Sequence, residues 1–493
     1  MNAPASGSID SRRGGVLAHV SSLPGPAYCG DFGLAATSFL DWCSASRLRL
    51  WQVLPLGPTG PGHSPYAATS CFACNPLWYA HASSPERNDG DRIGRADPSR
   101  AVRDRLARLE SGWRRFRRTT GAEAQREFEA FRDAEEQRVW LEDWTLYAAL
   151  KERFDGRPWF EWDADLRRRE KSALRAASRE HAERQAFHAW VQYELDTQAR
   201  SVRARAEAHD VVWLGDLPFG VARDSADVWS RRDLFRVDDD GRPDGTTGCP
   251  PDEFSPFGQN WHTPLFDWEA MNGENFAWWI ARCRATLRWT HALRLDHFRG
   301  YSATWVIPPG AASAGSGRWV EVPGDALFSA VRDAGIDAQL IAEDLGEITP
   351  DVLALRDRHG LPGTLVLQFG LEDPGGPHHP SRHHRRAVVY TGTHDNDTFN
   401  GWFEELVAER SERVRRSLGP LQSAARAAVE ACWASPAAWA IAPLQDLLEL
   451  GSEARMNEPG RAQGQWTWRC DPALLDSRRS TWLAELSARH GRA

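Results

Sequence analysis

Lysine is nearly absent from this 493-residue chain. Lys151 and Lys171 are the only two, so almost all of its 60 basic residues are arginine. Acidic residues number 68, for a net charge of −8. That balance argues against nucleic acid as the main partner, because phosphate binding needs a basic face. No apolar run approaches the roughly 20 residues of a membrane span. The opening MNAPASGSIDSRRGG has no apolar core of the kind a secretion signal carries. We therefore expect a cytoplasmic protein that binds neither nucleic acid nor membrane.

Paired cysteine motifs are missing too. Cys71 and Cys74 form the sole C-x-x-C, with no second pair and no His-x-x-x-His to complete a zinc site. Scattered, reduced, buried thiols are the better reading of the eight cysteines. The stretch Gly57 to Ser64 has the spacing of a phosphate-binding loop, but His63 stands where the lysine belongs. Pro65 and Tyr66 then follow where a helix should begin. Asp238-Asp239-Asp240-Gly241 lacks the further ligands of a calcium loop and reads as a turn. No cofactor and no metal ion is expected.

What the chain does have is a recurrent pattern. Eight short β-branched or aliphatic runs, at 15–20, 48–55, 211–218, 291–298, 339–346, 364–370, 387–395 and 437–448, each end in polar or Gly/Pro clusters. The last could equally be helical. Helix-period sequence fills most intervals, which implies right-handed βαβ units and a parallel sheet. Eight units predict an α/β fold, a (β/α)₈ TIM barrel, forming one catalytic domain over 1–493. The interval 57–208 is rich in Arg, Glu and helically spaced aromatics, and predicts a mostly helical subdomain inserted after the second strand. The interval 219–290 reads as a loop followed by an aromatic helix, so loop insertions are expected after strands 3 and 4. Too few residues follow the eighth run for a C-terminal β-sandwich domain. The 24 tryptophans offer flat faces for sugar rings, although most tryptophans in any chain serve packing.

Barrel active sites form at the carboxyl ends of the strands. Asp216, Asp296, Glu343 and Asp395 all end such runs. The two-residue strand period puts Arg294 on the same face as Asp296, and an adjacent guanidinium favours the ionised form of a carboxyl. Several carboxyls around one cavity suit glycosidic chemistry, in which one acid attacks the anomeric carbon and a protonated one assists the leaving oxygen. Glu343, after the apolar Leu340-Ile341-Ala342, is the candidate for the protonated partner. The rival is a divalent-metal site made from the four acids, against which Arg294 counts. His394, beside Asp395, suits a sugar hydroxyl.

Several ordered segments carry a more specific message: GHSPYAATSCFACNPL (62–77), WLGDLPFGVARDSADVW (213–229), GCPPDEFSPFGQNWHTPLFDW (248–268), LRLDHFRG (293–300), GRWVEVPGDALF (317–328), LIAEDLGEITPDVLALRDRHGLPG (340–363), VVYTGTHDNDT (388–398) and ARMNEPG (454–460). In these the chain resembles the amylomaltases, the 4-α-glucanotransferases of glycoside hydrolase family 77, from about residue 13 almost to the end. The resemblance implies that Asp296 is the nucleophile, Glu343 the general acid and then base, and Asp395 the group that holds the sugar hydroxyls in the transition state. It further implies that Arg294, His394 and Asp216 bind the sugar next to the scissile bond. Tyr66 would stack on a sugar, and Gln259 and Trp261 would cover the acceptor side. The substrates implied are malto-oligosaccharides and α-1,4-glucans of starch or glycogen. The chain departs from the family pattern at His63, at PHHPSRHH (377–384) and at Phe219-Gly220, all in loops.

Transfer and hydrolysis share one intermediate. A preference for sugar over water of roughly 10⁴ needs about 5.5 kcal/mol of differential transition-state binding. The 250s loop, with Pro250, Pro251, Phe254, Phe257 and Trp261, is apolar enough to exclude water. An α-glucan hydrolase and a non-catalytic glucan-binding protein are the alternatives to the transferase.

Overall fold

The computed structural model describes residues 9, 11–25, 28–81, 94–251, 255–337, 340–419, 423–461 and 464–493. Twelve strands occur among them in chain order: β1 Arg13–Leu17, β2 Leu50–Gln52, β3 Val212–Leu217, β4 Thr246–Cys249, β5 Gln259–Pro264, β6 Ala292–Leu295, β7 Ala303–Ile307, β8 Arg318–Glu321, β9 Leu340–Ala342, β10 Gly363–Val366, β11 Ala387–Tyr390 and β12 Trp439–Pro443. Eight form one parallel sheet in the order β10-β11-β12-β1-β2-β3-β6-β9. Its two edges meet where Ala342 N donates to the Pro362 carbonyl at 2.8 Å and Thr364 Oγ1 to the Ala342 carbonyl at 3.0 Å. The result is a nearly closed (β/α)₈ barrel. Each of the eight apolar runs supplies one strand. Such strands are buried on both faces, which is why they read as continuous apolar runs rather than alternating ones. The ambiguous eighth run is both things: strand β12 leads directly into helix Leu444–Leu447.

Between β2 and β3 the described chain is mainly helical, with long helices Pro98–Thr119, Leu141–Arg153 and Ala182–Ala208. Their aromatics pack on one another: Trp113, Phe116, Phe128 and Trp190 form a cluster with ring centroids 5.7–6.3 Å apart. The Ala182–Ala208 helix lies against helix Leu34–Ala45 and β3, so it belongs to the barrel wall as much as to the insertion.

The interval 219–290 differs from its sequence reading. It holds helix Ala277–Leu287 as expected, but also β4 and β5. These pair antiparallel with β7 and β8, from beyond β6, in a second sheet of order β5-β4-β7-β8. The insertions after the third and fourth barrel strands are thus one small sheet at the barrel mouth. Its long-range pairing leaves no local signal, and a register shift between Thr246 and Gly248 breaks the alternation that would mark β4. No strand follows β12 among the described residues, and no helix among them is long and apolar enough to cross a membrane.

Candidate active site

The geometry of the site follows from strand register. Asp216 on β3 is paired directly with Arg294 on β6, and Leu295 with Ala342 on β9. Neighbours in register share a face, so Asp216 and Arg294 both point inward. Asp296 and Glu343, one step past the paired ends, stand side by side. Glu343 N donates to the Leu295 carbonyl and Asp296 N to that of Leu217, both at 3.1 Å, extending the ladder to these two acids.

Arg294 is the centre. Its Nη1 donates to both oxygens of Asp216 at 2.8 Å and to Asp296 Oδ1 at 3.2 Å, while Nη2 lies 3.8 Å from Glu343 Oε2. The side chain of Asp216 is wholly buried and that of Arg294 only 6% exposed; Asp296 is more open, at 25%. A guanidinium therefore occupies the middle of the acids, where a divalent cation would have to sit. Burial pushes the Glu343 carboxyl well above its usual range; Asp296 adds to the rise, while Arg294 and the His297 N–H pull against it. Burial likewise tends to raise Asp216, with Arg294 opposing. Desolvation would lower Arg294, but the carboxylates around it outweigh that and hold it firmly charged.

Asp395 stands across the mouth, at the end of β11. Asn457 Nδ2 donates to its Oδ1 at 2.6 Å, Arg455 Nη2 holds its carbonyl at 2.8 Å, and His394 Nε2 is 3.4 Å from Oδ2. Tyr66 joins the two halves of the site. Its hydroxyl donates to Asp216 Oδ2 at 2.7 Å, and its ring stacks on His394 at 5.1 Å. One face of Tyr66 is thus covered by His394, with Trp466 tilted at 6.0 Å from the ring. Below them Tyr390 Oη donates to Gln52 Oε1 at 2.8 Å, filling the buried barrel interior.

Trp261 and Gln259 sit on β5. Trp261 Nε1 donates to Gln259 Oε1 at 3.4 Å, and its ring meets that of His297, the residue after Asp296, at 4.7 Å and 83°. The small sheet thus delivers Trp261 to the strand end that carries Asp296. Phe257 is 73% exposed, and Phe254, expected in the same loop, lies outside the described residues. None of the eight cysteines forms a disulfide, and six are buried. His63 hydrogen-bonds Ser99 Oγ at 2.7 Å.

The structure brings Asp216, Arg294, Asp296, Glu343 and Tyr66 into direct or shared contact, with Asp395 joined through His394. Asn457, Arg455, Trp466 and His297 are additions that reasoning from strand ends did not assign. Asn457 and Arg455 lay within ARMNEPG, but nothing local to that segment indicates that it reaches Asp395.

A barrel whose mouth holds a buried, protonatable acid beside a more open carboxylate, both within 4 Å of one guanidinium, defines a class: enzymes that break and remake glycosidic bonds. A profile of the 4-alpha-glucanotransferase family (glycoside hydrolase 77) matches residues 18–475, and the chain belongs to that family. It is 43% identical over 479 residues to the 4-alpha-glucanotransferase of Thermus thermophilus, covering 94% of this chain and 95% of that one. The Synechocystis 4-alpha-glucanotransferase is 38% identical over 501 residues, covering 98% and 99%. Among solved structures, the amylomaltase from Streptococcus agalactiae in complex with acarbose superposes with a TM-score of 0.93 at 30% identity, over 98% of this chain and all of that one. Amylomaltase from Corynebacterium glutamicum shares the fold, with a TM-score of 0.78 at 20% identity, covering 98% of this chain and 76% of that one.

Proposed function

We propose that this chain is a disproportionating 4-α-glucanotransferase that moves α-1,4-glucan segments between malto-oligosaccharides by a retaining double displacement. The observation that carries this reading is the Arg294 guanidinium shared by Asp216, Asp296 and Glu343. In the first step Asp296 attacks the anomeric carbon, and Glu343, kept protonated by burial, gives its proton to the departing glycosidic oxygen. In the second step Glu343 takes the proton of an acceptor hydroxyl. The acceptor oxygen bonds to the anomeric carbon and Asp296 leaves as a carboxylate. Asp395, oriented by Asn457, binds ring hydroxyls as the transition state flattens. Arg294, Asp216 and His394 hold the sugar at the cleaved bond, and Gln259 and Trp261 receive the acceptor.

No cofactor or metal takes part in these steps. The substrate class extends to glucans derived from starch or glycogen, and eight cysteines without a disulfide suit work in the reducing cytoplasm. We treat 57–208 as a mainly helical insertion and 219–290 as the segment that builds the acceptor side of one catalytic domain. Chromatography of the products from maltotriose tests the reading. Oligomers longer than the substrate are expected; glucose and maltose alone would mark a hydrolase, and binding without turnover a scaffold.

A further inference from the structure

Arg282, on helix Ala277–Leu287, belongs to none of the segments that carried the family likeness. It is nevertheless only 1% exposed and lines the same small cavity as Tyr66 and Asp216. Its guanidinium lies 4.9 Å from the ring of Trp279 and 5.5 Å from that of Trp278, and its Nε and Nη1 are buried with no hydrogen-bond partner. Asp227, whose carboxyl feels this charge, accepts from Cys71 N–H at 2.8 Å instead. A charge withdrawn from water with so few partners is costly to keep. The one hydrogen bond that the side chain does make runs from Nη2 to the Pro218 carbonyl, at 2.6 Å. That carbonyl and the N–H of Phe219 are the two ends of a single planar peptide group. The N–H donates to Asp296 Oδ2 at 3.4 Å, while Arg294 Nη1 donates to Oδ1 at 3.2 Å. The ring of Phe219, packed against those of Tyr301, Phe266 and His297 at 5.1–5.8 Å, fixes the peptide in place.

We propose that Arg282 is a positioning residue that acts through the Pro218–Phe219 peptide to stabilise the Asp296 carboxylate as it departs from the anomeric carbon. The proposal rests on the transferase reading above, in which Asp296 is the nucleophile. In the second step the acceptor O–H bond breaks and its proton passes to Glu343. The acceptor oxygen bonds to the anomeric carbon, and the electron pair of the breaking C–O bond returns to Asp296. A cation at the carbonyl end of a peptide polarises the group and strengthens its N–H as a donor, and burial leaves that effect little screened. Such a donor favours the charged carboxylate over the uncharged ester of the covalent intermediate. Without the cation Asp296 becomes a poorer leaving group but no weaker a nucleophile, so the two steps respond differently.

The test uses the full chain with an aryl α-malto-oligoside, whose phenol release reports the first step, and maltotriose as acceptor for the second. If the wild type forms no longer oligomers from maltotriose, or Asp296→Asn stays active, the transferase reading itself fails, which is a different result from any below. Arg282→Met removes the charge and keeps an apolar side chain of similar length. It is expected to release phenol in a burst whose rate is within about threefold of the wild-type first step, and then to turn over about tenfold more slowly. Mass spectrometry of acid-quenched samples should show the covalent glycosyl-enzyme accumulating. Because only one nitrogen of Arg282 is engaged, Arg282→Lys should bring the second step back to within about threefold of the wild type. A merely structural loss would slow both steps together. An unchanged second step in Arg282→Met, equal losses in both steps, or no recovery in Arg282→Lys would overturn the proposal. If Arg282→Met does not fold, Arg282→Gln takes its place, keeping a donor for the Pro218 carbonyl without the charge, and a wild-type ratio of the two steps there overturns it.

Discussion

Glu343 and Glu152 are the same residue type, each beside an arginine, and their carboxyls move in opposite directions. At the barrel mouth, burial drives Glu343 well above the usual carboxylate range. In the helical region between β2 and β3, burial also pushes Glu152 upward, but hydrogen bonds from His188 and Arg184 outweigh it and bring it down to about 2. The arginines explain the difference. Arg184 meets Glu152 with two nitrogens at 2.6 and 2.7 Å. Arg294 is committed to Asp216 and Asp296 and stands 3.8 Å from Glu343. Although Arg184 also reaches Glu110 Oε1 at 2.8 Å, its two short hydrogen bonds stabilise the Glu152 carboxylate. A guanidinium 3.8 Å away, engaged elsewhere, does not offset burial, and the Glu343 carboxyl stays well above its usual range.

The largest effects should appear at the mouth. Asp296→Asn and Glu343→Gln should each lower turnover at least about 10³-fold with the fold retained by circular dichroism. Substantial activity in either would show that the roles are misassigned. Arg294→Gln leaves buried carboxyls without their cation and should cost roughly 3–5 kcal/mol of stability in denaturant titrations. Arg184→Gln, which faces half-exposed Glu152, should cost under about 1 kcal/mol. Equal costs would erase the distinction between a shared buried cation and a half-exposed pair.

The pH dependences should also oppose one another. For Glu343 the folded-state value is raised, so its stabilising contribution is complete below the unfolded carboxylate range and is lost as pH rises through the folded value. Glu343→Gln should therefore be at least as stable as the wild type at alkaline pH, and wild-type kcat/KM should fall on the alkaline side as the acid ionises. For Glu152 the value is lowered, so its contribution is present above the unfolded range and is lost as pH falls towards 2. Glu152→Gln should flatten acid unfolding and leave the alkaline limb alone. The smallest effect is expected for Arg117→Ala, whose partner Glu183 is largely exposed: within about 0.5 kcal/mol, and vanishing in high salt.

The barrel was legible because its strands are buried on both faces and its acids end them, so Asp216, Asp296, Glu343 and Asp395 could be picked out residue by residue. The small sheet was not. Gln259–Pro264 is a half-exposed strand of mixed polarity, and its sheet draws β7 and β8 from across β6. Trp466 was likewise hidden: it reaches His394 from a segment some 70 residues away in sequence, and no local pattern reports such a contact.

Residue identity and spacing alone were enough to specify the barrel, the inward face shared by Arg294 and Asp296, and the chemistry of paired carboxyls, since those follow from local periodicity. Which carboxyl keeps its proton was decided only by folding. That depends on how one guanidinium divides itself among three acids brought together from separate strands, and on how far each is withdrawn from water.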